Sequence, residues 1–81
     1  MKKLTAKDYP NLTWEFGSAQ VKKLLREMRI YAKADFKIPE NEIEEIVKEA
    51  ISVYPIIESN TPKDKLFDDE LAWESLNLVI L

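Results

Sequence analysis

Cysteine and histidine are both missing from this sequence, and glycine occurs once. Without cysteine no disulfide framework can form, and the compartment expected is the cytoplasm. Without either residue a structural zinc site loses its usual ligands. Cys–His and Ser–His–Asp nucleophile systems cannot be assembled either. Carboxylates, lysines and tyrosines could still move protons, but the commonest proton-transfer side chain is absent. The chain therefore reads as a non-enzyme with no cofactor and no metal. Long apolar runs are lacking as well. No window approaches the ~20 apolar residues of a membrane span, and Met1-Lys2-Lys3-Leu4-Thr5 is not the start of a signal peptide. No membrane association is expected.

What remains is a chain of 81 residues, 46% of them hydrophobic, which is too apolar for an extended disordered tail. One domain is the most it can form. A domain of this size buries only about 60% of its unfolded surface, and small scaffolds of this kind gain stability from a metal, a disulfide or a partner surface. The scarcity of glycine and four spaced prolines suit helices joined by short breaks.

Charge is unevenly spread. Residues 1–37 hold nine Lys and Arg against four Asp and Glu, whereas residues 38–81 hold three against eleven, so that +5 faces −8. Such asymmetry marks interaction proteins. The plainer reading is that the halves fold against each other and cancel locally.

Apolar spacing predicts an all-α fold: a small bundle of three main helices over residues 18–81, preceded by an N-terminal extended arm over residues 1–17. In the arm, Thr5-Ala6-Lys7-Asp8 reads as a single helical turn stopped at Tyr9-Pro10. Leu12, Trp14 and Phe16 alternate with polar residues, a period that suits an extended segment laid across the helices. Ser18 reads as an N-cap, and from Ala19 to about Lys33 the residues Val21, Leu25, Met28 and Ala32 share a face, with Leu24 and Tyr31 at its edge. Pro39 opens a second helix whose first turns carry Glu40, Glu42, Glu44 and Glu45, where negative charge suits the helix dipole. Ile43, Ile46, Val47, Ala50, Ile51 and Tyr54 form its buried face, and Pro55 is expected to end or kink it. Ile56 and Ile57 would then plug the core as the chain turns through Glu58-Ser59-Asn60. Thr61-Pro62 resembles a further cap with a short turn to about Phe67. A last helix from about Asp68 would bury Leu71, Ala72, Ser75, Leu76 and Val79.

Several clusters invite a functional reading. Lys22, Arg26, Arg29 and Lys33 form a basic stripe along the first long helix. Clustered Lys and Arg are the footprint of nucleic-acid binding, yet the sequence pI near 4.9 disfavours that class. A solvated or internally paired stripe comes first, an acidic protein partner second and nucleic acid third. Asp64, Asp68, Asp69 and Glu70 lack the ligand spacing and glycine of a calcium loop, and acids at a helix start need no metal.

The stretch FDDELAWESLNLVIL resembles the attachment motif of acyl carrier proteins. Phe67, Leu71, Ser75, Leu76, Val79 and Leu81 fall in register with it, and Ile43-Glu44-Glu45-Ile46-Val47 is similar to that family's first helix. The resemblance implies Ser75 as the attachment point of a 4′-phosphopantetheine arm, with Glu74 as its acidic neighbour. Ala72 and Glu74 replace the family's usual glycine and aspartate, and six residues follow Ser75 where the carrier fold has two more helices. The residues themselves admit a second role for Ser75, as a small side chain permitting close helix contact.

Leu78, Val79, Ile80 and Leu81 surround more than one helix face, and exposed contiguous apolar surface marks an interface. The leading expectation is a non-catalytic protein–protein interaction module, of the inhibitor, antitoxin, immunity or accessory type known from bacteria and phage. Its partner is another protein or a second copy of itself. The contact residues expected are Lys22, Arg26, Arg29, Lys33, Trp73, Leu78, Ile80 and Leu81, with Tyr9, Trp14 and Phe16 as further aromatic anchors or core.

Overall fold

The computed structural model describes residues 3–62, 64 and 68–80. Among these there is no strand. A 3₁₀ turn over Ala6–Asp8 leads into α1 (Pro10–Phe16), α2 (Ser18–Ala34), α3 (Glu40–Asn60) and α4 (Asp68–Ile80). The all-α expectation holds, with four α-helices among the described residues where three main ones were expected.

The arm is overturned at residues 10–16. Tyr9 keeps the non-helical backbone that proline imposes on its predecessor, at φ −129° and ψ 63°. The single turn expected before Tyr9-Pro10 is present as Ala6–Asp8, and Pro10 then opens α1, because a fixed φ and a missing N–H cost nothing at that position. Leu12 and Phe16 are four apart, so a helix places both toward the core, where they are partly buried. Trp14, two residues from each, points the other way and is 90% exposed. The Phe16 ring meets Tyr54 edge-on, with centroids 5.6 Å apart. Gly17 ends α1 with φ 78°, a left-handed conformation that glycine adopts without strain. It also precedes α2 at the cap position, so Ser18 is the first helical residue and not the N-cap.

Helices α2, α3 and α4 each pack against the other two, while α1 and the 3₁₀ turn lie on α2. Val21, Leu24, Leu25, Met28 and Ala32 of α2 meet Ile43, Val47, Ala50, Ile51 and Tyr54 of α3, all buried. Leu71, Ala72, Ser75 and Leu76 close the core from α4. Ile46 and Val79 are only partly buried. The α2–α3 connection turns at Lys37, whose φ of 52° is left-handed, and the Ile38 N–H donates to the Ala32 carbonyl at 2.9 Å.

Pro55 does not end α3, which runs five residues beyond it to Asn60. One backbone hydrogen bond is forfeited there, a loss a helix held on one side by tertiary packing can carry. Ile57 consequently stays on the core side, whereas Ile56 turns outward and does not plug the core. Thr61 caps the C-terminus of α3, its hydroxyl donating to the Ile57 carbonyl at 2.6 Å. The turn expected between Pro62 and Phe67 lies largely outside the described residues.

Candidate interaction surfaces

The basic stripe is divided by the fold. Lys22, Arg26 and Lys33 are exposed, whereas Arg29 is drawn inward. Its Nε donates to Glu44 Oε1 at 2.7 Å and its Nη2 to Glu44 Oε2 at 3.3 Å. The same Nη2 donates to the Leu4 carbonyl, and the Leu4 N–H returns a bond to Glu44 Oε2 at 3.0 Å. One residue from α2 and one from α3 thus clamp both backbone groups of Leu4. Burial on its own would raise the Glu44 pKa, but the hydrogen bonds from Arg29 and Leu4 and the charges of Arg29 and Lys3 outweigh it. The carboxyl is held below its ordinary value. Arg29 therefore does internal work, as the paired-stripe reading anticipated for this one residue.

Tyr9 lies beside this clamp. Its hydroxyl is buried and donates to no group among the described residues. Burial raises its pKa, the charges of Asp8 and Glu44 add to that, and Arg29 opposes it. Neither Tyr9 nor Phe16 stands free as an anchor, since both pack against the core.

At the other end of the molecule's sequence, Trp73 closes α4 onto the α2–α3 connection. Its indole N–H donates to Asp35 Oδ2 at 3.1 Å, and its ring lies 5.2 Å from that of Phe36. Ile80 is partly buried against the core. Leu78, by contrast, is 64% exposed, and Leu81 lies outside the described residues. The hollows that border the basic stripe are lined by Lys3, Arg29, Ile30 and parts of α2 and α3, with no contribution from α4.

Ser75 has no accessible surface, and its hydroxyl donates to the Leu71 carbonyl at 2.8 Å. It sits within α4, in the seam with the core, where a larger side chain would hold the helices apart. A phosphopantetheine arm needs a serine open to an attaching enzyme, and this geometry does not offer one. The carrier resemblance finds no support in the placement of its central residue.

Sequence reasoning weighed internal pairing of the stripe but missed that Glu44, read with the other helix-start acids, is the particular partner of Arg29. It also missed Asp35. Both depend on contacts between residues distant in the chain, fifteen positions apart in one case and thirty-eight in the other. No group of three or more potential metal-ligating side chains occurs among the described residues. No helix among them is long and apolar enough to cross a membrane. Comparison of the chain with protein-family models, curated proteins and solved structures yields no match.

Proposed function

We propose that this protein is a non-catalytic helical module that works by binding another protein, in the manner of an inhibitor, antitoxin, immunity or accessory factor. The observation that carries the reading is Trp14, 90% exposed on a helix whose other apolar side chains pack inward. Burying an aromatic of ~200 Å² at ~25 cal/mol/Å² stabilises by several kcal/mol. That gain is forgone in the isolated chain and is open to a partner. Tryptophan is also enriched among the few side chains that dominate binding energy. Leu78, exposed on α4, supplies a second apolar side chain of the same kind. The absence of histidine and cysteine leaves the surface without the residues most used in catalysis.

The test is co-purification of the tagged full chain from cells that produce it natively, comparing the wild type with Trp14→Ser and Leu78→Ser. A partner in stoichiometric amount is expected, and at least one of the two substitutions releases it while leaving the thermal melt unchanged. Failure to recover any stoichiometric partner, or one held equally well by both variants, overturns the proposal.

A further inference from the structure

We infer that the face made by α2 and the start of α3 is a two-fold interface through which the protein pairs with a second copy of itself. This does not rest on the partner reading above, which uses Trp14 and Leu78. At 100° per residue Ile30 lies on the side of α2 opposite the buried Val21, and it is 56% exposed. Beside this ridge runs a hollow bounded by Ile30 and Lys33 on α2 and by Glu40, Asn41 and Ile43 on α3. An adjoining hollow shares Ile30 and continues along α2 past Arg26 and Lys22. The face thus presents an exposed Ile30 next to a depression that holds Ile43 among charged and polar side chains, with Arg29 and Lys33 on one wall and Glu40 and Glu44 on the other. Lys22, Arg26, Lys33 and Glu40 form no ion pair among the described residues.

A second copy turned over about an axis along the α2–α3 seam lays its own α2 on the first copy's α3. Lys33 of each copy then faces Glu40 of the other, and Ile30 of each enters the depression beside the other's Ile43. Every contact is made twice, as an isologous interface requires. Lys33 and Glu40, which form no ion pair within one chain, are thereby matched by the same chain inverted. A nucleic acid fits this face less well. Glu40 and Glu44 both line the hollow, and a net charge of −3 opposes long-range attraction of a polyanion. Standard stable interfaces cover about 800 Å² of each partner, which is roughly one-seventh of this chain's 5540 Å².

Sedimentation velocity over a concentration series tests the pairing, using the full-length wild type, Lys33→Glu, Glu40→Lys and an equimolar mixture of the two variants. Both positions are exposed, and circular dichroism melts establish that each variant is folded. The wild type is expected to dimerise, less tightly in high salt. Each single reversal sets like charges against each other at two symmetric places and weakens association about tenfold or more. Mixing the two variants restores a dimer, because each reversed wall then meets its opposite. Ile30→Lys, at a side chain the core does not use, also abolishes association without lowering the melt. A wild type that stays monomeric at every concentration overturns the inference, whether or not it binds DNA or RNA. So does a dimer indifferent to these substitutions, or a mixture that fails to recover.

Discussion

Replacing Glu44 by glutamine keeps the shape of the Leu4 clamp and removes its charge. The side chains of Arg29 and Glu44 are 20% and 17% exposed, so the pair is neither a surface contact nor a fully buried one. Exposed ion pairs contribute about 0–1 kcal/mol, and hydrogen bonds to a charged group contribute about 1.5–3 kcal/mol where neutral ones give about 0.5–1.5. Glu44 accepts three bonds, two from Arg29 and one from the Leu4 amide. Glutamine can accept through one oxygen only, and it leaves the guanidinium partly desolvated without a counter-charge. A loss of about 2 kcal/mol follows. For a domain of this length each kcal/mol moves the midpoint by about 4–8 °C, so Glu44→Gln is expected to melt about 8–16 °C below the wild type at neutral pH.

Acid separates this account from a mere packing defect. The folded-state pKa of Glu44 lies below its unfolded value, so on acidification the unfolded chain takes up the proton first. The stabilisation is present above the ordinary value of 4.5 and is lost as pH falls through the lower folded one. Wild type and Glu44→Gln share every other carboxylate, so their difference isolates this residue. Urea titrations followed by circular dichroism at pH 7 and near pH 3 should show the gap closing at the acid end. A variant within ~0.5 kcal/mol of the wild type at pH 7, the range of ordinary surface changes, refutes the reasoning. A gap that survives unchanged at pH 3 refutes it as well.

Tyr9→Phe removes a buried hydroxyl that donates to nothing described, and a gain of about 1 kcal/mol in urea unfolding is expected. Because the Tyr9 pKa is raised, the unfolded chain loses that proton more readily, so stability falls as pH climbs past 10. The variant should lose that share of the alkaline decline. Ser75→Leu overfills the α4 seam and is expected to cost about 1–3 kcal/mol, while Ser75→Ala changes stability by about 1 kcal/mol or less. Incubating the wild type with a phosphopantetheinyl transferase should leave its mass unaltered, since the hydroxyl is inaccessible. Pro55→Ala restores a donor inside α3 and should raise the melting midpoint, by a stability gain of about 1–3 kcal/mol. A lower midpoint would show that the Pro55 ring, which borders the same hollow as Leu12, matters more than the missing bond.

Long periodic segments were legible and short ones were not. Residues 19–33 repeat their apolar positions over about four turns and residues 43–54 over about three, which leaves only a helix able to bury them together. Residues 12–16 hold too few positions to decide. Spacing of two and spacing of four both place Leu12 with Phe16, and only the destination of Trp14 distinguishes them. Alternation argued for a strand, but a lone strand leaves its backbone unpaired, whereas seven helical residues opened by Pro10 satisfy much of theirs locally. Pro55 misled in the opposite sense. A proline rule describes local cost, and the apolar contacts of Tyr54 and Ile57 on either side of it outweigh a single lost hydrogen bond. The hydroxyl of Ser75 shows the same limit at the level of function. The motif that resembles a carrier site is composed of residues whose periodicity also describes a core-facing helix, and burial favours the latter.

The polarised charge can now be weighed against the idea that the two halves neutralise one another. Arg29 and Glu44 do join the basic and acidic parts across the α2–α3 seam. Beyond that pair, Lys22, Arg26 and Lys33 on α2 and Glu40, Glu42, Glu45 and Glu49 on α3 stay exposed, with no ion pair to any described residue. Helix geometry explains the separation. The core stripe of each helix sets which residues can reach its neighbour, and with 3.6 residues per turn Glu45 is turned away from that contact. Neutralisation by folding requires charges at the edges of the core stripe, where Arg29 and Glu44 meet. The remaining field is outward-facing, positive along one helix and negative along the next. Dipolar surfaces of this kind favour inverted copies of themselves over uniform polyanions or polycations, so pairing should weaken with salt while the Arg29–Glu44 clamp, partly shielded from solvent, changes little.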